Sequence, residues 1–151
     1  PVDRRSITGY AVFYNESLIS WKSAKQSCTT LFSSEAELVA ASSTSQEIIW
    51  RRRIVTALCG PQVASSVYVD NRAVIDITNR STSSAHTKHI DVRHFFVRNQ
   101  VIQGHIVVVP VATANNVADT FTKGLARPRF TDCVTLLGLV NSPPIRNKEE
   151  C

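Results

Sequence analysis

The sequence predicts an α/β fold in which helices pack on the faces of a mixed β-sheet. Three observations support this fold class: apolar and β-branched runs typical of strands, one long segment with helical periodicity, and the order of these segments. A strand hairpin comes first, the long helix follows, and two more strand-like runs then alternate with helices. This order is typical of a sheet with an antiparallel part and a parallel part.

The first third of the chain predicts an antiparallel meander. Residues 7–14 (ITGYAVFY) and 17–23 (SLISWKS) predict two strands joined by a turn at NES. Residues 25–32 (KQSCTTLF) alternate β-branched and polar residues and predict a third strand. Residues 33–58 place apolar side chains three or four positions apart, which predicts a long amphipathic helix. Ser34 and Glu37 match a capping box at its start, and Gly60-Pro61 ends it.

The rest of the chain predicts short alternating elements. SVYVD (66–70) and HIVVVPV (105–111) predict strands, each followed by a helical segment. Helices are expected at 71–79 and from about His89 to Gly104, separated by a polar loop at 80–88. A further helix over 115–130 is expected to be capped by Asn115 or Asn116 and broken near Pro128, with a short helix at 131–139. Residues 140–151 are expected to form a flexible tail.

Composition limits the possible functions. The 151 residues suit one domain, and the net charge of +5 with a pI near 9.3 makes nucleic acid the first anionic partner to consider. No apolar run is long enough for a membrane span, so no membrane partner is expected. The four cysteines form no C-x-x-C pair, which argues against zinc or disulfides and suits an intracellular protein. The chain starts at Pro1 without Met and is expected to be a fragment.

Three carboxylates stand out by their positions, and the first, Asp70, lies at the end of a strand, where ligands collect in α/β proteins. Asp70 ends a strand, while Glu37 and Asp119 lie in the first turns of predicted helices. Each has a structural alternative, because first-turn acids favour the helix dipole and an Asp-Asn pair can cap a helix. If the three converge, their oxygens suit Mg²⁺, and two such ions would support phosphodiester hydrolysis.

A second set of residues is suited to nucleic-acid contact. Trp21 and Trp50 can be core anchors, although Trp21 beside Lys22 can also stack on a base or ribose. The histidines are scattered and are assigned no site. The candidate nucleic-acid contacts are Trp21, Lys22, Asn71, Lys88, Arg93 and Lys123.

Six stretches occur in an order that resembles one family. They are DRRSITGY, SLISWKSAKQS, SSEAELVAAS, VYVDNRAVI, TKHIDVRHFFVRNQV and VADTFTKGL. Together they resemble the ribonuclease H domain of copia-type long-terminal-repeat retrotransposons, the part of the Gag-Pol polyprotein that follows the reverse transcriptase. The resemblance extends from about Asp3 to Leu139.

The resemblance implies a ribonuclease H-like fold with a five-stranded mixed sheet. It also implies cleavage of the RNA strand of RNA–DNA hybrids during reverse transcription, with two Mg²⁺ ions and Mn²⁺ as a substitute. By motif, the metal ligands and catalytic residues are Glu37, Asp70 and Asp119, with Glu35 as the alternative to Glu37. The implied partners are the hybrid and the reverse transcriptase domain of the same polyprotein. The implied location is a cytoplasmic virus-like particle or the nucleus.

The resemblance also implies one departure. The family's first acid lies on a strand upstream of the DRRS run, so residues 1–139 are expected to form a ribonuclease H-like domain without its first strand and first catalytic Asp. This leaves two alternatives to an active nuclease. One is a catalytically inactive remnant that binds nucleic acid or has a structural role, and the other is a polynucleotidyl transferase of the integrase type, which the copia-type motifs disfavour.

Overall fold

The computed structural model describes residues 5–27, 33–79 and 88–139 and contains helices and two small sheets. The antiparallel sheet is formed by β1 (Ile7–Tyr14) and β2 (Ser17–Lys25), joined by a turn in which Asn15 and Glu16 have positive φ. Left-handed turn residues match the twist of a two-stranded hairpin, so NES forms the predicted turn. The predicted α/β class is confirmed at this level, with one antiparallel and one parallel pair of strands.

The predicted third strand is only partly within the described residues. Lys25 ends β2, while Gln26 and Ser27 are not in a strand; residues 28–32 of that prediction lie outside the described part. Gln26 instead makes specific contacts: its backbone N–H donates to the Ser6 carbonyl, and its side chain is buried. The prediction of a third strand is therefore wrong at Gln26 and Ser27. The chain leaves the β1–β2 ladder after Lys25, and the Gln26 side chain is buried.

The long helix α1 (Ser33–Cys59) confirms the periodic segment. It ends at Gly60, whose positive φ of 83° is the usual C-terminal conformation after a helix. It packs Leu38, Ala41 and Ile48 into the core. The predicted capping box is wrong, because Ser34 lies inside the helix and Glu37 belongs to its second turn.

The parallel sheet pairs β3 (Ser65–Val69) with β4 (Ile106–Pro110). Val67, Val69, Ile106 and Val108 supply its buried face. Two helices connect these strands, α2 (Arg72–Asn79) and α3 (Lys88–Ile102), as the sequence predicts. Most of the polar loop predicted between them, residues 80–87, lies outside the described residues. Gly104, with a φ of 69°, follows α3 at the predicted end.

The segment after β4 differs from the prediction. The expected helix over 115–130 is replaced by short 3₁₀ turns at Thr113–Asn115 and Val117–Phe121. One helix, α4 (Arg127–Leu136), then replaces the two predicted around Pro128. Pro128 lies in its first turn, where the missing N–H has no intrahelical partner to lose, so it starts the helix where a break was predicted. Asn116 caps the second 3₁₀ turn, because its Oδ1 accepts from the Ala118 N–H at 3.1 Å.

Several large apolar side chains are exposed, including those of both tryptophans. Trp21 and Trp50 are 63% and 55% exposed, so neither is a core anchor. On α1, Leu58 is 80% exposed, and on α3 Phe95 and Ile102 are also exposed while Val97 is fully buried. No helix within the described ranges is both long enough and apolar enough to cross a membrane.

A groove separates the two sheets. It has a volume of about 620 Å³ and is lined on one side by residues 9–14 of β1 and on the other by residues 65–70 of β3 and its end. Side chains of α1, including Ala40, Ala41 and Thr44, also line it. Within the described part of the chain, β1 pairs only with β2 and β3 pairs only with β4. The strand edges that face the groove therefore have no strand partner there.

Candidate active site

Glu37 is positioned by a buried glutamine. Gln26 Nε2 donates to the Thr8 Oγ1 of β1 at 3.1 Å and to the Ala36 carbonyl of α1 at 2.9 Å. Because Ala36 precedes Glu37, these two hydrogen bonds fix the start of α1 against β1 beside the candidate carboxylate. Sequence reasoning assigned Gln26 no role, although it lies in the KQS part of a characteristic motif.

Asp70 lies directly after β3, and its neighbour caps the next helix. Asn71 Oδ1 accepts from the Ala73 N–H at 3.0 Å and from the Val74 N–H at 3.4 Å. These are the hydrogen bonds of an N-cap residue, so Asn71 has the capping role that was the structural alternative for Asp70. Asp70, which is half-buried, lines the groove.

Asp119 is carried by the 3₁₀ turn Val117–Phe121, hereafter the Asp119 turn. Gly9 of β1 allows this turn to approach closely: a Cβ at Gly9 would lie 2.5 Å from Thr122 Cγ2 and 3.1 Å from the Ala118 carbonyl oxygen. The Ser23 hydroxyl of β2 donates to the Phe121 carbonyl at 2.6 Å. A glycine within a strand is a sequence sign of close backbone approach, and Gly9 is an instance.

The three predicted acids act on one another electrostatically. Burial removes water from the Glu37 carboxylate and raises its pKa above the usual value, and the negative charges of Asp70 and Asp119 raise it further. Lys123 partly offsets this shift in the pKa of Glu37. Glu37 and Asp70 line the same groove, and Ala118, the neighbour of Asp119, lines it too, although the three acids are far apart in sequence.

The strand arrangement explains this convergence. β3 and β4 run parallel, so their carboxyl ends lie at the same edge of the sheet. Asp70 follows β3, and the Asp119 turn follows β4. Glu35, the alternative to Glu37, is two residues away on α1 and therefore lies on another side of the helix. The negative charges of both aspartates act on the Glu37 carboxyl.

The side chains of the three acids are not arranged to coordinate one metal ion together. Lys123 Nζ lies 3.0 Å from Asp119 Oδ2 and forms an ion pair with it. Among the described residues, no three side chains of His, Cys, Asp or Glu form a group that could hold a metal ion as they stand. The donor chemistry of three carboxylates suits Mg²⁺, which prefers oxygen ligands.

The candidate nucleic-acid residues are distributed over several elements. Two of them lie beside the acids. Asn71 follows Asp70 and caps α2, and Lys123 forms an ion pair with Asp119. Trp21 and Lys22 are exposed on β2, and Arg93 is half-buried on α3. Lys88 begins α3, and its side chain lies outside the described part of the structure. Their role in nucleic-acid binding remains a prediction.

The chain is similar to parts of plant transposon polyproteins. It is 38% identical over 137 residues to the retrovirus-related Pol polyprotein from transposon TNT 1-94 of Nicotiana tabacum. This match covers 91% of the chain and 10% of that protein. It is 35% identical to the corresponding polyprotein from transposon RE2 and 34% identical to that from RE1, both of Arabidopsis thaliana. These matches cover 94% of the chain and 10% of each protein. No family model and no solved structure matches the chain.

These similarities confirm the part of the resemblance that concerns the Pol polyproteins of retrotransposons. The chain spans about a tenth of the length of the three relatives, so their names describe much longer proteins. The aligned region extends over nearly the whole chain, including the segments that carry Glu37, Asp70 and Asp119. The homologues of this chain are Pol polyproteins of retrotransposons.

Proposed function

We propose that this chain is the ribonuclease H region of a copia-type Pol polyprotein and contributes to cleavage of RNA in RNA–DNA hybrids. The observation that carries the proposal is geometric: Glu37 and Asp70 line one groove, and the turn that carries Asp119 packs on Gly9, which lines the same groove. These are the residues that the family motifs select, and their interaction in space is independent of the motif match. The basic net charge of the chain suits a nucleic-acid substrate.

The three carboxylates would hold the metal ions of this reaction. When bound, two Mg²⁺ ions would supply Lewis-acid stabilisation of the attacking and leaving oxygens in phosphodiester hydrolysis. Small side-chain movements would be needed, because the acids interact without yet enclosing a common point. Burial raises the pKa of Glu37 most, and the negative charges of Asp70 and Asp119 raise it further; this concentration of negative charge favours a cation.

We further propose that the groove between the sheets takes an extended strand. The groove is bordered by β1 and β3, whose facing edges have no strand partner within the described residues. One inserted strand would pair with both edges and join the two sheets into the five-stranded ribonuclease H-like sheet that the resemblance implies. The same strand would bring the fourth acid of the family toward the end of the groove where Asp70 lies.

A cleavage assay tests the proposed activity. The chain is compared with a version extended by the Asp-bearing strand expected upstream of Asp3, using labelled RNA–DNA hybrid with Mg²⁺ or Mn²⁺. The extended version should cut the RNA strand, and Asp70→Asn should lower the rate about a hundredfold or more, as expected for loss of a group that stabilises the transition state.

The matched control is Asp76→Asn, because Asp76 forms a 3.8 Å ion pair with Arg72 on α2 and is not among the three acids. Its cleavage rate should equal that of the unsubstituted extended version. Equal loss in both variants would show a general effect of charge and contradict the assignment of Asp70.

The second candidate is a catalytically inactive remnant that binds nucleic acid. It is favoured by the open arrangement of the acids, since no described group of three is placed to hold a metal ion. Hybrid binding without cleavage, in both the chain and its extended version, would support the remnant over the nuclease.

A further inference from the structure

A lysine occupies part of the acidic site. Lys123 Nζ lies 3.0 Å from Asp119 Oδ2, and its positive charge also lowers the pKa of Glu37. Its side chain is 54% exposed, whereas that of Asp119 is only 13% exposed. The ammonium group therefore enters from solvent and covers an otherwise sheltered carboxylate.

The backbone holds Lys123 beside Asp119 while leaving its side chain free to move. The Lys123 N–H donates to the Asp119 carbonyl at 3.1 Å, so the position of its Cα is fixed by the Asp119 turn. The ammonium group lies at the end of a flexible four-carbon chain. The lysine end of this ion pair is exposed to solvent, so water can replace Asp119 as the partner of the ammonium group when it moves away.

The ammonium group and a divalent cation would compete for the same carboxylate. Oδ2 of Asp119 cannot accept the ammonium hydrogen bond and ligate a metal ion in the same direction. A second positive charge a few ångströms away would also repel the ion.

We propose that Lys123 is a resident counter-ion of the acidic site, which neutralises Asp119 when no divalent ion is bound and must leave it for an ion to bind. This inference rests on the proposed function, because it concerns the same acids. It assigns Lys123 a role in setting metal affinity, in addition to the nucleic-acid contact expected from the sequence.

The test is a Mn²⁺ titration of the full chain, with free Mn²⁺ measured by electron paramagnetic resonance at constant pH and ionic strength. Lys123→Met keeps the length of the side chain and removes its charge. It should bind Mn²⁺ about three- to tenfold more tightly, the size expected for removing one nearby exposed charge. Lys123→Arg should retain the affinity of the unsubstituted chain.

The matched control is Lys25→Met, which removes the same charge from the exposed end of β2 and should leave Mn²⁺ affinity unchanged. Asp70→Asn added to each variant should weaken binding. Circular dichroism checks that every variant has the same helix content.

The outcomes separate this inference from the proposed function. Binding that depends on Asp70 but is unchanged or weaker in Lys123→Met overturns the inference and leaves the proposed metal site intact. Binding that survives Asp70→Asn, or no binding by either the unsubstituted chain or Lys123→Met, overturns both.

Discussion

At the scale of single residues, Glu37 shows how surroundings decide the properties of a carboxyl group. Glu37 as a whole residue is exposed to solvent. Its carboxyl group is nevertheless partly shielded from water, which raises its pKa, and two aspartates raise that pKa further. A folded-state pKa above the unfolded value means that the folded protein holds the proton more tightly. This contribution to stability is complete below the unfolded pKa and is lost as pH rises through the folded pKa.

Glu37→Gln should therefore stabilise the protein more at pH 7 than at pH 4, because glutamine carries no charge to be desolvated or repelled. The effect should be small, since solvent screens an exposed group. Urea unfolding at the two pH values measures it. The control is Glu16→Gln in the exposed β1–β2 turn. A Glu37→Gln difference that does not depend on pH, or that is larger at pH 4, would contradict the electrostatic origin.

Asn71 and its neighbour Asp70 have different roles: Asn71 caps a helix, and Asp70 lines the groove. Its side chain caps α2, so Asn71→Ala should lower the free energy of unfolding by about 1 kcal/mol. Asn71→Asp retains an oxygen acceptor and should restore most of the loss. Urea denaturation of the three proteins measures the difference, and an alanine variant as stable as the unsubstituted chain would show that the cap contributes nothing.

At the scale of elements, one glycine controls where Asp119 lies. Gly9 and the Ser23 hydroxyl hold the Asp119 turn against the β1–β2 hairpin. The turn spans five residues and is capped by the Asn116 side chain, and these contacts with the hairpin help to set its position. The positions of all three acids thus depend on packing between elements that are distant in sequence.

Gly9→Ala should destabilise the protein by about 1–3 kcal/mol, the usual range for overpacking, and should displace the Asp119 turn. The closest obstacle is Thr122 Cγ2, so Gly9→Ala combined with Thr122→Ser should recover part of the loss by removing that methyl group. Thermal unfolding and Mn²⁺ affinity measure both effects.

Gly124→Ala is the matched control for this substitution. A Cβ at Gly124 would meet no atom within 4 Å, and its φ is not in the left-handed range. Gly124→Ala should therefore leave stability and Mn²⁺ affinity nearly unchanged. A loss as large as that of Gly9→Ala would show that close packing at Gly9 is not the cause.

At the scale of the whole molecule, hydrophobic periodicity and turn residues predict most elements but not their arrangement. These local patterns predict the β1–β2 hairpin, α1, β3, α2, α3 and β4. They do not predict the segment around Asp119, because contacts with Gly9 and Ser23 hold it in a short 3₁₀ turn where its sequence pattern predicts a helix. The convergence of the acids could not be predicted from spacing, since it depends on β3 and β4 being parallel neighbours.

The groove between the sheets gives a prediction at this scale. An upstream strand fused to the chain should raise the melting temperature by several degrees, because it would pair with both free edges. It should also slow amide exchange in β1 and β3. The same extension with a central proline should do neither, because proline removes an N–H from the ladder. Equal stabilisation by both extensions would contradict strand insertion.

The central claim is that Glu37, Asp70 and Asp119 act as one site, and Mn²⁺ broadening of backbone amide signals tests it most directly. In a two-dimensional NMR spectrum of the labelled chain, low concentrations of Mn²⁺ should broaden the signals at all three positions together. The signals of residues around Glu16, in the distant turn, should remain sharp. Asp70→Asn should weaken the broadening at Glu37 and Asp119 as well. Broadening at only one of the three positions, or at none, would contradict the claim.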